Sequence, residues 1–192
     1  MTQEALLAHV ARSLETAGIP FMVAGSHSSS YYGQPRTTND LDVVIDPTPE
    51  QLDRFLTLLG DRYYVSPEAA REALQRRSMF NIIDFDEGWK ADLIIRKDRP
   101  FSAVEFERRQ LGNLHGLTVP IASAEDVILT KLEWNKITPS ERQLKDALHV
   151  ALGQWARLDR PYLRQWAPAL GVADTLEDLF RKAEELQPHD KP

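Results

Sequence analysis

At 192 residues the chain suits one domain, or a core with a helical extension, and a 42% hydrophobic content excludes a disordered protein. It contains no cysteine, which excludes disulfides and thiolate-ligated metal sites. A formal net charge of −6 argues against a broad electrostatic grip on nucleic acid, and no apolar run approaches the roughly eighteen residues that a membrane span needs.

The chain opens with Met1-Thr2-Gln3-Glu4, without a basic segment or an apolar signal core, so a cytoplasmic protein is expected. Thr2 is placed to cap a helix running to about Ala17, with Leu6, Leu7, Val10 and Leu14 at helical spacing and Gly18 as its stop. Phe21 to Ala24 reads as a buried strand, broken by Gly25-Ser26. Ser26 to Ser30 is too polar for a core strand and suits a turn or helix start. A second β-branched run, Asp40 to Asp46, carries Asp40 and Asp42 two residues apart, hence on one strand face, with Leu41 and Val43 on the other. Two adjacent carboxylates repel unless something positive neutralises them, and a divalent cation with hard oxygen ligands answers that need.

Thr48-Pro49-Glu50-Gln51 is a capping-box start for a helix carrying Leu52, Phe55, Leu56 and Leu59, ended by Gly60. Ser66-Pro67-Glu68 begins another, through about Arg77. Met79 to Phe85 and Lys90 to Lys97 read as two strands joined by Asp86-Glu87-Gly88, a hairpin. That hairpin offers two candidates for a third carboxylate, Asp92, which the pairing places in mid-sheet, and its rival Asp84. Ser102 is expected to cap a short helix and Leu117 to Ile121 to form a last strand. Beyond Ser123 the composition turns helical, with capping boxes at Ser123 and Thr138 and further punctuation at Pro161 and Gly171. Gln187 to Pro192 is expected to fray. The expected division is a core over 1–121 and a helical region over 122–192.

An Asp-x-Asp alone is ordinarily a solvated pair. Here it has company: a Gly-Ser turn upstream and a lone acid within Lys90-Ala91-Asp92-Leu93-Ile94-Ile95. Three carboxylates and a phosphate-sized turn are the parts of metal-assisted phosphoryl-type transfer. Two basic groups, Lys90 to Arg109 and Arg71 to Arg77, read either as solvated surface or as a local nucleic-acid contact.

Gly25-Ser26, a spacer of thirteen residues, and Asp40-Leu41-Asp42-Val43 together resemble the signature of the DNA polymerase beta-like nucleotidyltransferase superfamily. Within it, Arg36-Thr37-Thr38-Asn39-Asp40-Leu41-Asp42 resembles the minimal nucleotidyltransferases, including the AbiEii-like and MenA-like toxins of bacterial toxin–antitoxin pairs. The core likeness spans Phe21 to Ile95, and a looser one reaches about Val150. It implies an α+β fold, a polymerase beta-like core with a mixed sheet flanked by helices plus a C-terminal helical extension. It also implies an Mg²⁺-dependent enzyme moving a nucleoside monophosphate from an NTP to an acceptor hydroxyl such as an RNA or tRNA 3′ end, with an antitoxin as a further partner.

The implied roles are specific. Asp40, Asp42 and Asp92 hold two Mg²⁺ ions, Asp92 also takes the acceptor proton, and Gly25 and Ser26 cradle the triphosphate. Glu125 to Leu132 and Lys145-Asp146 resemble further stretches of the AbiEii-like group, which gives Lys131 a phosphate contact and Asp146 a supporting place. Arg36 either offsets charge on the transferring phosphoryl group or pairs structurally with an acidic neighbour. Read on their residues alone, Lys131 and Asp146 are helix-surface charges. The alternatives are an antibiotic- or small-molecule-modifying nucleotidyltransferase and a non-catalytic nucleotide- or partner-binding member of the fold. A glycosyltransferase would not require the Gly-Ser turn, and an Asp-x-Asp phosphatase would need a downstream lysine and acid set that does not stand out.

Overall fold

The computed structural model describes residues 3–187. Thr2, expected as the first cap, and the tail from 188 onward lie outside them. The described chain forms two compact units, one within residues 3–27 and 37–122, the other within 28–36 and 123–187.

The first unit is built on a seven-stranded mixed sheet of order β3-β4-β5-β2-β1-β7-β6. Its strands are β1 (Phe21–Val23), β2 (Asp40–Ile45), β3 (Tyr63–Tyr64), β4 (Met79–Asp84), β5 (Lys90–Ile95), β6 (Gln110–Leu114) and β7 (Leu117–Ile121). The accompanying helices are α1 (Gln3–Ala17), α3 (Pro49–Leu59), α4 (Pro67–Arg76) and α5 (Pro100–Glu107), while α2 (Gly25–Tyr32) carries the chain from the first unit into the second. The alternation of β2 decides its facing. Leu41, Val43 and Ile45 are almost wholly buried, while Asp40, Asp42 and Val44 point to the other side. Burying each of those three apolar side chains is worth about 1.5–3 kcal/mol, and a slip of one residue would exchange them for the acids. Register is therefore strongly fixed exactly where the acids sit.

Local signals placed most elements. Thr48 caps α3 with a complete capping box, its Oγ1 accepting from the Gln51 N–H while its own N–H donates to Gln51 Oε1. Ser66 caps α4 with its Oγ alone, accepting from the Ala69 N–H. Two starts differ from expectation. Helix α5 begins at Pro100, ahead of Ser102, because the proline ring presets the first helical φ; Ser102 is buried and accepts from Arg99 Nε at 2.9 Å. Thr138 does not open a helix. It sits in extended backbone before Pro139, as a residue preceding proline prefers, and its N–H closes the previous helix on the Trp134 carbonyl.

The second unit is helical in its described residues, its helices joined by short connections. It holds the end of α2 with α6 (Ala124–Ile137), α7 (Glu141–Gln154), α8 (Arg160–Leu170) and α9 (Ala173–Leu186). Leu129, Leu132, Val150, Leu163 and Leu176 form its buried interior. No described helix is long and apolar enough to cross a membrane.

Candidate active site

Sheet pairing assembles the acids. Strand β2 lies beside β5 in parallel, and the register sets Asp42 opposite Asp92 and Asp40 opposite Lys90. On the other side of β5, antiparallel β4 sets Asn81 opposite Asp92 and Ile83 opposite Lys90. Partners in register point to the same face, so Asp40, Asp42, Lys90, Asp92 and Asn81 share one. Asp40 stands at the open end of β2 with 54% of its side chain exposed, whereas the Asp92 side chain is only 11% exposed.

Asp92 is held on one oxygen. Asn81 Nδ2 donates to Oδ1 at 2.7 Å and Lys90 Nζ lies 3.1 Å from the same atom. Lys90 also stands 3.9 Å from Asp40 Oδ1. Its hydrogen bond to Asp92, outweighing burial and helped by the charges of Asp92, Asp40 and Asp42, holds the ammonium above the ordinary lysine range. Lys90 is thus charged throughout the neutral range.

Gly25 fits its place for a steric reason. The Ala24 N–H donates to the Asp42 carbonyl at 2.9 Å, which brings the start of α2 against Asp42. At φ +59°, Gly25 lies where a side chain is disfavoured, and an added Cβ would fall 2.6 Å from the Asp42 Cγ. Ser26 follows in the first turn of α2, the end of a helix that favours anions.

The hairpin acids divide cleanly. Asp84 alternates with Phe80 and Ile82 toward the buried side and is clamped by Arg62, with the Asp86 N–H donating to Oδ1 at 2.9 Å. Burial pulls its pKa up, but the Asp86 N–H and the Arg62 guanidinium more than offset this, leaving it below the usual carboxylate range.

Arg36, Lys131 and Asp146 form a separate cluster within the second unit. Arg36 grips both Asp146 oxygens, Nε to Oδ1 at 3.0 Å and Nη2 to Oδ2 at 2.9 Å, and Lys131 Nζ lies 3.0 Å from Oδ2. Burial raises the Asp146 pKa, yet these two cations bring it below the ordinary range. Lys131 and Asp146 are both buried, so neither is a solvated helix-surface charge.

Similar solved structures share this architecture. They include an antigenic nucleotidyltransferase-like protein from Paracoccidioides brasiliensis (TM-score 0.59, 16% identity, covering 94% of this chain and 91% of that one). The antibiotic-resistance factor ANT(2'')-Ia aligns at TM-score 0.57 and 11% identity over 95% of both chains. The lincosamide antibiotic adenylyltransferase LnuA, in its lincomycin-bound crystal structure, aligns at 0.53 and 14% identity over 78% of this chain and 96% of that one. The fold is the nucleotidyltransferase fold. No family model and no curated protein matches the sequence.

The nucleotidyltransferase fold brings the question of a metal. Carboxylate oxygens on one sheet face are the hard donors that Mg²⁺ takes, and the face carries more acid than base, so the donor chemistry fits. Among the described residues, no group of three or more His, Asp or Glu side chains is already arranged to hold an ion. The acids stand instead as a pair on β2 with Asp92 tied to Lys90 and Asn81. Those two residues escaped the sequence reading. The signal for Asn81 was present, a polar residue at the outward position of β4 between Met79 and Ile83; Lys90 had been grouped only with the basic run. Elsewhere in that run Arg96 pairs with Asp46 at 2.8 Å and Arg109 stacks on the Phe106 ring.

Proposed function

We propose that the chain is a nucleotidyltransferase that moves a nucleoside monophosphate from an NTP to an acceptor hydroxyl, releasing pyrophosphate. The observation that carries the reading is the register Asp42–Asp92 on neighbouring parallel strands, with Asp40 on the same face and Gly25 closed against Asp42. Mg²⁺, when bound, would polarise the phosphoryl group and make the acceptor oxygen a better nucleophile. Asp40 and Asp42 would hold it. Gly25 and Ser26 would orient the triphosphate through the N-terminal end of α2. Asp92 is positioned to accept the acceptor's proton on Oδ2, since Asn81 and Lys90 both occupy Oδ1. For Arg36 and Lys131 the proposed role is to offset phosphoryl charge, with Asp146 fixing both side chains.

A small hydroxylated acceptor is the favoured class. Two of the similar structures are of proteins that handle antibiotics, and Arg96, which an RNA backbone would need, is already paired with Asp46. An RNA or tRNA 3′ end, as in a toxin of a toxin–antitoxin pair, is the second reading. It rests on the likeness of Arg36 to Asp42. The test is incubation with Mg²⁺ and each labelled NTP, alongside a panel of aminoglycosides and lincosamides in one arm and total cellular RNA in the other. Label transfer that vanishes in Asp42→Asn supports the activity, and the arm that takes label names the acceptor. No transfer in either arm, without pyrophosphate release, rejects it.

A further inference from the structure

On the sheet face that carries Asp40, Asp42 and Asp92, a cation is placed between Asp92 and Asp40. Lys90 stands 3.1 Å from Asp92 and 3.9 Å from Asp40, on the strand position that pairs with Asp40. We propose that Lys90 is the built-in counter-ion of this face: its ammonium compensates the acids in the metal-free protein, and a divalent cation must displace it, so Lys90 sets the affinity for metal. This rests on the reading of Asp40 and Asp42 as the metal-binding acids.

Three features make Lys90 suited to the task. Its side chain is 35% exposed, so the head can swing to water with little loss of packing. A lysine ammonium is a compact point charge on a flexible stem, without the planar fork that would lock an arginine onto a carboxylate. And Asn81, donating at 2.7 Å to the oxygen that Lys90 contacts, remains to hold Asp92 when Lys90 leaves. A bound metal and the ammonium therefore compete for the same negative charge, at separations where two like charges repel appreciably even near a surface.

The experiment is isothermal titration of the purified protein with MnCl₂ alone, in the wild type and in Lys90→Met, Lys90→Gln, Lys90→Arg and Asp42→Asn. Near-UV circular dichroism checks the fold of each. Removing the charge should tighten Mn²⁺ binding about tenfold in Lys90→Met and in Lys90→Gln while lowering the melting temperature of the metal-free protein. Lys90→Arg should bind no tighter than wild type. Unchanged or weaker Mn²⁺ binding in a folded neutral variant, with wild-type binding lost in Asp42→Asn, overturns the role of Lys90 and leaves the metal site standing. Absence of Mn²⁺ binding in the wild type and in every Lys90 variant overturns the metal site and this proposal with it.

Discussion

The sheet face of the first unit and the Asp146 cluster of the second are made from the same residue types in opposite proportions. On the sheet, the ammonium of Lys90 lies against Asp92 and Asp40, with Asp42 on the same face. In the helical unit a single carboxylate, Asp146, is shared by Arg36 and Lys131. The difference teaches how to read an acid inside a fold. Asp146 has all the positive charge it needs and serves to fix two cations. On the sheet face Lys90 stands against two carboxylates at once, with a third in register beside Asp92, and acids gathered on one face favour a further cation. Asp84 is the control: a more deeply buried acid, matched by Arg62 and a backbone N–H.

Substitutions break this contrast in order of size. Asp42→Asn should cost transfer on the order of 10³-fold or more, read by labelled-NTP turnover, because it removes the acid nearest both Asp92 and the Gly25 turn. Its fold should persist, since relieving like-charge repulsion costs nothing. Asp146→Ala should act the other way, on stability: by leaving Lys131 buried without its carboxylate it should cost about 3–5 kcal/mol in urea unfolding. Asp84→Asn should cost less, about 1–2 kcal/mol, since Arg62 is one-third exposed and can be hydrated, and transfer should be unchanged. Should Asp84→Asn abolish transfer and Asp92→Asn spare it, the assignment of the third acid would be reversed.

The smallest effect is the pH dependence of that stability. Asp146 and Asp84 both have folded pKa values below 3.8, their ordinary value, so each binds its proton less readily folded than unfolded. Their stabilisation is complete at pH above 3.8 and is lost as pH falls from there through the lowered values. Asp146→Asn should therefore be less stable than wild type in urea unfolding at pH 7, and the gap between the two should close as pH falls below 3.8.

Much of this arrangement was legible in the residues. Alternation in Asp40 to Ile45 separates acids from core because one face is buried, and the Asp86-Glu87-Gly88 turn gives away the β4–β5 hairpin. What alternation could not supply was the neighbour of β5. Parallel pairing with β2 joins residues 50 positions apart, Asp42 with Asp92, and no local signal encodes it. Strands β3 and β6 escaped for another reason. Tyr63-Tyr64 is two residues long, and Gln110-Leu-Gly-Asn-Leu has a glycine and two polar residues where an apolar run is sought. The attachment of Arg36 to Asp146 spans 110 positions and was open in sequence between a phosphate contact and a structural pair.

The most direct test of the account is the melting temperature of wild type and Asp42→Asn, each alone and with Mg²⁺ plus NTP. At nucleotide about 100-fold above its Kd, wild type should melt about 5 °C higher or more. Asp42→Asn should lose most of that rise. An equal rise in both proteins would contradict a metal–nucleotide site built on the carboxylates of β2.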